Sequence, residues 1–258
     1  MRHFLPLLLL AGLLPAQNNS IVVIAHRGEH RSHPENTLPA FQAAMDMGAD
    51  YVELDVRTTA DGRLVLLHDR TVDSRTNGSG EVARMTFEQV RSLDAGVKFN
   101  PRFTGTRVPT FEEALELARG KIGVYVDCKD ISAADLIAAL EKHHLEESVV
   151  VYGGLSLLKE VAARRPKIKV MPEAVSPSLV RSMIESLHPR VFAFSAYDFT
   201  DEIIALVKQA KAEIYVDRLG PADNPAAWQD AVNRGATGIQ TDRPAELLEF
   251  LRSRGLHQ

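Results

Sequence analysis

The sequence is short of the features on which several protein classes depend. One cysteine, Cys128, occurs in 258 residues, which excludes an intramolecular disulfide and a cysteine metal cluster. A chain of this length can bury a sizeable core without such cross-links. A basic excess is also lacking, since 30 Lys and Arg stand against 34 Asp and Glu and give a net charge of −4. We therefore expect no nucleic-acid partner, because a polyanion is held by an excess of basic side chains.

Residues 1–16 have the pattern of a secretory signal peptide. The short basic start Met1-Arg2-His3 precedes an apolar run at 4–14, and the small residue Ala16 precedes a polar stretch. The run is short for a membrane span, and an uncleaved anchor or a buried strand is the alternative. We expect cleavage after Ala16 and an extracytoplasmic protein, periplasmic or secreted.

From residue 21 onward, strand-like and helix-like segments alternate. Runs rich in β-branched residues predict eight strands, at 21–25, 51–56, 123–129, 149–152, 167–171, 191–195, 213–217 and 237–240. Helical patterns lie between and after them, at 38–47, 111–119, 133–143, 155–164, 177–186, 201–211, 226–234 and 245–253. This order implies parallel strands with right-handed crossovers. It predicts an α/β fold, one (β/α)8 TIM barrel over residues 21–258. An open doubly wound sheet is the alternative, although no glycine-rich dinucleotide motif follows the first strand.

The segment at 64–68 departs from this alternation. It is strand-like and follows the strand at 51–59 after four residues that include Asp61-Gly62, a strong hairpin signal. Because hairpin strands are antiparallel, we predict a β-ribbon that rises from the second strand. Residues 69–108 then form a mostly polar insertion, and insertions at the catalytic face of a barrel often shape the site.

Two predicted strands place acidic side chains on one face. Glu53 and Asp55 are two residues apart, as are Asp127 and Lys129, so each pair shares a side of its strand. We expect all four at the carboxyl ends of the strands, where barrel active sites lie. Three converging carboxylates need protons or a cation, and oxygen ligands favour Mg²⁺ or Ca²⁺. Structural ion pairs in the barrel interior are the alternative.

Two histidines follow apolar runs that lead to the same rim. His26 ends the first strand and His68 ends the ribbon, and one of them can accept a proton while the other donates one. Arg27 has a planar guanidinium group, whose geometry suits phosphate. Its side chain can also form an ion pair with Glu35. Each histidine alone is more often structural than catalytic.

Other polar residues near the strand ends have structural interpretations. Asn36 or Thr37 can cap the first helix, and Thr241 or Asp242 can cap the last. His30 and His33 flank the same region and are expected to be exposed loop residues.

Several motifs in combination resemble the glycerophosphodiester phosphodiesterase family, from about residue 21 to the end of the chain. They are AHRG at 25–28, PENT at 34–37, ELDVRTTADG at 53–62 and LLHDRTV at 66–72, with support from VPTFEEAL at 108–115, DCK at 127–129 and GATGIQTDRP at 235–244. The resemblance implies a (β/α)8 barrel with an insertion after the second strand. It also implies hydrolysis of glycerophosphodiesters to glycerol 3-phosphate and an alcohol, with a divalent ion, commonly Ca²⁺ or Mg²⁺.

The resemblance also implies roles for seven residues. By position, the catalytic pair is His26 and His68, the metal ligands are Glu53, Asp55 and Asp127, and the phosphate-binding residues are Arg27 and Lys129.

The chain departs from this family at several places, which include a longer loop at 218–224. Asp127 stands where glutamate is usual, and sphingomyelinase D-like phospholipases share this Asp-x-Lys arrangement. Tyr215-Val216 replaces the usual Trp-Thr pair, which leaves the recognition of glycerol or alcohol open.

Two other functions therefore remain as alternatives. One is a phospholipase D-like enzyme that acts on lysophospholipid or sphingolipid at a membrane, for which Val97, Phe99 and Phe103 are the apolar candidates in the insertion. The other is a non-catalytic phosphoester-binding protein. The oligomeric state stays open.

Overall fold

The computed structural model of the protein describes residues 20–258, so the signal peptide predicted at 1–16 lies outside the described residues. The strands are β1 (Val22–Ala25), β2 (Tyr51–Thr58), β3 (Leu64–Leu66), β4 (Gly123–Cys128), β5 (Val149–Tyr152), β6 (Lys169–Met171), β7 (Val191–Phe194), β8 (Glu213–Arg218) and β9 (Gly238–Thr241). The α-helices are α1 (Leu38–Met47), α2 (Phe87–Arg91), α3 (Phe111–Ala118), α4 (Ala133–His143), α5 (Leu155–Arg164), α6 (Pro177–Leu187), α7 (Asp201–Gln209), α8 (Pro225–Arg234) and α9 (Pro244–Arg252). Within residues 20–258, no helix combines the length and the apolar character that a membrane crossing needs.

Eight parallel strands form a nearly closed barrel. Their order is β6-β5-β4-β2-β1-β9-β8-β7, and a parallel bridge between Glu173 and Ala193 joins the two ends. The predicted (β/α)8 TIM barrel is confirmed, and the open doubly wound sheet is wrong because the edge strands meet.

Strand alternation divides the core into two layers. Leu54 and Val126 point outward and pack under the helices, in the largest group of buried apolar side chains. Ile24, Tyr125 and Tyr215 point inward and fill the barrel. The barrel interior is therefore packed, and the next inward side chains toward the carboxyl ends of the strands are the polar residues of the site.

The ribbon is present where the hairpin signal predicts it. Strand β3 pairs antiparallel with β2, with Val56 opposite Leu66 and Thr58 opposite Leu64. The insertion that follows is more ordered than its polar composition suggests, since it contains α2 and two 3₁₀ turns, at Val82–Arg84 and Pro101–Phe103. Apolar side chains of the ribbon and of the insertion together form a separate small core, which comprises Val65, Leu67, Val72, Val82, Val90, Ala95 and Val108.

Neither of the two helix caps expected near the site is formed by a side chain. Thr37 is the residue before α1, but its hydroxyl donates to the carbonyl oxygen of Pro34. Helix α9 starts after Arg243, again without a side-chain cap, so the expectation for Thr241 and Asp242 is wrong. Asp242 instead accepts hydrogen bonds from histidines of the β1–α1 loop.

Candidate active site

Three acidic side chains converge inside the barrel at the carboxyl ends of β2 and β4. Asp55 and Asp127 are paired in register. Each of these two residues and Glu53 contributes one carboxylate oxygen, and the three oxygens lie within 4.8 Å of one another. Glu53 and Asp55 are almost completely buried. The alternation of β2 and β4 thus brings together the three residues predicted as metal ligands.

The three carboxylates repel one another. Burial, together with the charges of Asp55 and Asp127, raises the pKa of Glu53 well above its ordinary value. Burial also raises the pKa of Asp127, against the opposing charge of Lys129. An all-oxygen donor set with excess negative charge suits a hard divalent cation such as Ca²⁺ or Mg²⁺, which would relieve this repulsion.

Arg27 is anchored at the same point through its backbone and its side chain. Its backbone N–H donates to Oε2 of Glu53 at 2.8 Å, and its Nη1 donates to Oε1 of Glu35 at 3.1 Å, the ion pair suggested by the sequence. Its Nε is buried 3.5 Å from Oδ2 of Asp55, without a hydrogen-bond partner among residues 20–258. The guanidinium therefore keeps one donor for a ligand.

The turn around Arg27 explains why glycine follows it. Arg27 and Gly28 both have positive φ, at 54° and 80°. A Cβ at Gly28 would lie 2.7 Å from the carbonyl carbon of Ala40. Only glycine fits so close to α1, and this fit fixes the position of Arg27.

Lys129 bridges two of the acids. Its Nζ lies 2.5 Å from Oδ2 of Asp127 and 3.2 Å from Oδ1 of Asp55. Although burial favours the neutral amine, the charges of Asp127 and Asp55 raise the pKa of Lys129. The residue is therefore an ammonium at neutral pH and can contact an anion.

Asn36 belongs to the site, although the sequence suggests only a helix cap. Its Nδ2 donates to Oδ2 of Asp55 at 2.6 Å, and its Oδ1 accepts from the backbone N–H of Asp55 at 3.1 Å. This two-way contact fixes the rotamer of the carboxylate. The PENT motif contains the only sequence signal that could have identified this role.

His26 is oriented by a carboxylate from β9. Its Nδ1 lies 2.7 Å from Oδ1 of Asp242, and the backbone N–H of Gly220 donates to the other oxygen of Asp242 at 2.8 Å. Burial lowers the pKa of His26 below its ordinary value of 6.5, although the hydrogen bond to Asp242 opposes this effect. The ring is therefore neutral at pH 7, and its Nε2 is the nitrogen left for a substrate.

The loop histidines are not exposed, contrary to expectation. Nε2 of His30 lies 3.0 Å from Oδ1 of Asp242, and its ring packs edge-on against His26 at 5.6 Å. His33 is also partly buried, and its Nδ1 lies 2.9 Å from Oε2 of Glu29. Both residues support the β1–α1 loop.

His68 lies at the end of the ribbon, with about a third of its side chain exposed. Its Nδ1 lies 2.9 Å from Oδ1 of Asp69, and Nη2 of Arg57 donates to its backbone carbonyl oxygen at 2.6 Å. Burial raises the pKa of Asp127, and a positive charge on the nearby His68 opposes this rise. The ribbon therefore carries the second predicted histidine to the same carboxylates.

A cavity of about 390 Å³ opens beside His26 and Arg27, between the β1–α1 loop and the insertion. Arg75 and Lys98 make part of its wall basic, and Phe99 contributes an apolar surface. Val97 and Phe99 are exposed at 39% and 41%, whereas the ring of Phe103 packs 5.3 Å from that of His33.

Comparison with known proteins identifies the family. Residues 26–246 match the model of the glycerophosphoryl diester phosphodiesterase family. A glycerophosphodiester phosphodiesterase of Caldanaerobacter subterraneus subsp. tengcongensis is 34% identical over 253 residues, which cover 91% of this chain and 99% of that protein.

Solved structures agree with this relationship. The crystal structure of a glycerophosphodiester phosphodiesterase from Agrobacterium tumefaciens superposes with a TM-score of 0.77 at 33% identity, over 87% of this chain and 97% of that chain. A phosphodiesterase of Oleispira antarctica, solved in complex with the product sn-glycerol-3-phosphate, shares the fold with a TM-score of 0.82 at 22% identity, over 90% and 96% of the two chains. The chain therefore belongs to the glycerophosphoryl diester phosphodiesterase family and is an enzyme of that class, a phosphoric diester hydrolase.

Proposed function

We propose that this enzyme hydrolyses small glycerophosphodiesters to glycerol 3-phosphate and an alcohol, with a divalent cation and with His26 and His68 as the proton-transfer pair. The observation that carries the proposal is the three-carboxylate cluster next to the free Nε of Arg27. A structural neighbour bound to sn-glycerol-3-phosphate supports the same substrate class.

Glu53, Asp55 and Asp127 would hold the cation, which is Ca²⁺ or Mg²⁺. When bound, the cation supplies positive charge against the phosphoryl oxygens and so stabilises the transition state. Asn36 keeps the Asp55 carboxylate in place, and Lys129 balances the charge of Asp127.

Arg27 and Lys129 bind the phosphate in this proposal. The free Nε of Arg27 donates to one non-bridging oxygen, while Glu35 holds the opposite side of the guanidinium. The ammonium of Lys129 offsets charge on another oxygen. Such fixed donors act without reorganisation as charge develops.

The two histidines divide the proton transfers. His26 is neutral, because burial lowers its pKa, and its Nε2 removes the proton from the nucleophile. The nucleophile is water or a neighbouring hydroxyl group of the substrate. About a third of the His68 side chain is exposed to solvent, and this residue protonates the departing alkoxide.

The test is release of glycerol 3-phosphate from a panel of glycerophosphodiesters, with lysophospholipid and sphingomyelin included. We expect His26→Ala and His68→Ala each to lose about 10²–10⁴-fold in kcat, while circular dichroism and melting temperature stay close to those of the wild type. His188→Asn removes an exposed histidine next to α6 and is the control with unchanged rate.

Near-normal rates in either histidine variant would refute the assigned pair. Faster turnover of lysophospholipid than of any glycerophosphodiester would favour the phospholipase function, and tight binding of phosphodiester without turnover would favour a binding protein.

The location of the enzyme is a separate proposal. The pattern of residues 1–16 supports export and a periplasmic or secreted protein. Cell fractionation of the full chain, followed by mass spectrometry of the mature N-terminus, tests it. A cytoplasmic protein that retains Met1 would contradict it.

A further inference from the structure

The mouth of the barrel has two further acidic side chains besides the three carboxylates of the proposed metal site, and the charge of Asp127 also raises the pKa of one of them, Asp217. Glu173 follows β6 and Asp217 lies on β8, both within the half of the barrel formed by β5 to β8. Tyr152 at the end of β5 donates its hydroxyl to Oε2 of Glu173 at 3.1 Å. Both carboxylates are partly exposed, so a molecule at the mouth can reach them.

Neither carboxylate has a basic partner in the part of the chain from residue 20 onward. The basic residues on the same strands point elsewhere: Arg218 pairs with Asp230 at 3.1 Å, and Lys169 lies 3.6 Å from Glu213 at the opposite end of the barrel. Burial, and then the charge of Glu173, raises the pKa of Asp217 to about 7. This region therefore has an excess of negative charge that no basic side chain of residues 20–258 balances by an ion pair.

A neighbouring amide provides an independent sign of a ligand. Gln240 is paired in register with Asp217, so strand alternation places both side chains inside the barrel. Gln240 is only 6% exposed, and its buried Oε1 has no hydrogen-bond partner among the described residues. A buried acceptor without a donor is costly, so we expect a ligand to supply the donor.

The two sides of the mouth therefore suit different parts of one substrate. The phosphate is bound by Arg27 and Lys129 at β1 and β4, under the proposed function on which this inference rests. Of the two alcohols esterified to that phosphate, glycerol offers the carboxylates hydroxyl donors but no positive charge. An alcohol that carries an ammonium group gains from them by charge and by donated hydrogen bonds.

We propose that Glu173, Asp217 and Gln240 form a subsite for a primary ammonium group on the alcohol part of the substrate, as in the glycerophosphodiester of ethanolamine. Three acceptor groups match the three N–H donors of a primary ammonium. A quaternary ammonium such as that of choline has no N–H and would leave Gln240 unsatisfied.

The experiment compares kcat/KM for the glycerophosphodiesters of ethanolamine, choline and glycerol. We expect the wild type to prefer ethanolamine over glycerol by about tenfold or more, and Asp217→Asn to remove most of that preference while it retains turnover of the glycerol diester. Glu213→Gln makes the same charge change on β8 but at the other end of the strand, and we expect it to keep the preference.

Binding is measured separately from turnover. Free ethanolammonium at millimolar concentration should raise the melting temperature of the wild type and of Glu213→Gln, but not of Asp217→Asn. Should Asp217→Asn fail to fold, Glu173→Gln replaces it in both measurements.

Each outcome decides one of the two proposals. Equal kcat/KM for ethanolamine and glycerol diesters in the wild type, a preference for choline, or an unchanged preference in Asp217→Asn would overturn the ammonium subsite and leave the hydrolase function intact. Absence of turnover with every glycerophosphodiester would overturn the proposed function, whereas ethanolammonium binding would still test the subsite.

Discussion

Both ends of the barrel have a cavity lined by charged residues. At the amino-terminal end opposite charges form pairs, whereas at the carboxyl end like charges lie close together and repel one another. At the amino-terminal ends of the strands, a cavity of about 510 Å³ is lined by residues such as Tyr51, Lys169 and Glu213. There Lys169 faces Glu213 at 3.6 Å, and the nearby Asp50 lies 3.0 Å from Nε2 of His257. At the other end, the cavity beside His26 is smaller, at about 390 Å³, and three carboxylates lie within 4.8 Å of one another.

This contrast indicates that unsatisfied polar groups locate the site better than cavity size does. Opposite charges at the amino-terminal end neutralise one another, so that end gains little from a charged ligand. At the carboxyl end, Glu53 is forced toward its neutral form and the Nε of Arg27 lacks an acceptor. A metal and a phosphate diester would satisfy both groups.

Among the tests of this comparison, removal of divalent cations is expected to have the largest effect on activity. Dialysis against EDTA should lower the rate of glycerol 3-phosphate release by about 10³-fold or more, because the phosphoryl charge then lacks its main counter-charge. Added Ca²⁺ or Mg²⁺ should restore the rate and raise the melting temperature. In Glu53→Gln the melting temperature should no longer respond to the ion. Full activity in chelator would exclude the proposed metal site.

A single substitution at the carboxyl end should have the next largest effect. Lys129→Gln removes the ammonium that contacts Asp127 and Asp55. We expect a fall of about 10²–10³-fold in kcat/KM, since one fixed cationic donor to the phosphate is lost. Steady-state kinetics with a saturating metal ion measures it. A change below threefold would mean that Lys129 only balances the acids.

Substitution of Asp242, the carboxylate that contacts His26, should have a smaller effect on the rate and should also change its pH dependence. Asp242 raises the pKa of His26, against the stronger effect of burial that keeps this pKa below 6.5. Asp242→Asn should therefore lower the pKa of His26 further and move the acid limb of the kcat/KM profile to lower pH. We also expect a loss of about ten- to hundredfold in rate, because the ring is no longer oriented.

The pH profile separates this positioning role from a structural one. A variant that is merely destabilised would lose active protein and keep the position of the acid limb. An acid limb that moves to higher pH would contradict the assigned effect of Asp242 on His26.

Residues whose placement follows from strand periodicity could be predicted from the sequence. The spacing of two between Glu53 and Asp55 places both inside the barrel, and the Asp61-Gly62 turn marks the ribbon that carries His68. These patterns act over a few residues, so sequence alone is sufficient to identify them.

Contacts between distant segments could not be predicted in the same way. Asp242 meets His26 across 216 residues, and Asn36 reaches Asp55 from a turn with positive φ, where a capping role is the more common one. Asp217 and Gln240 come side by side only through the register of β8 and β9. Such contacts depend on strand register and loop conformation, which short sequence patterns do not encode.

The smallest expected effect belongs to the matched substitution at the amino-terminal end. Lys169→Gln removes the same charge as Lys129→Gln, but it breaks only the partly exposed pair with Glu213. We expect kcat/KM to stay within about twofold of the wild type and the free energy of unfolding to fall by about 0.2–1 kcal/mol, as for other partly exposed ion pairs. Urea denaturation and the same kinetic assay measure the two quantities. A large loss of activity in Lys169→Gln would mean that charge anywhere in the barrel controls the rate, and the distinction between the two ends would then fail.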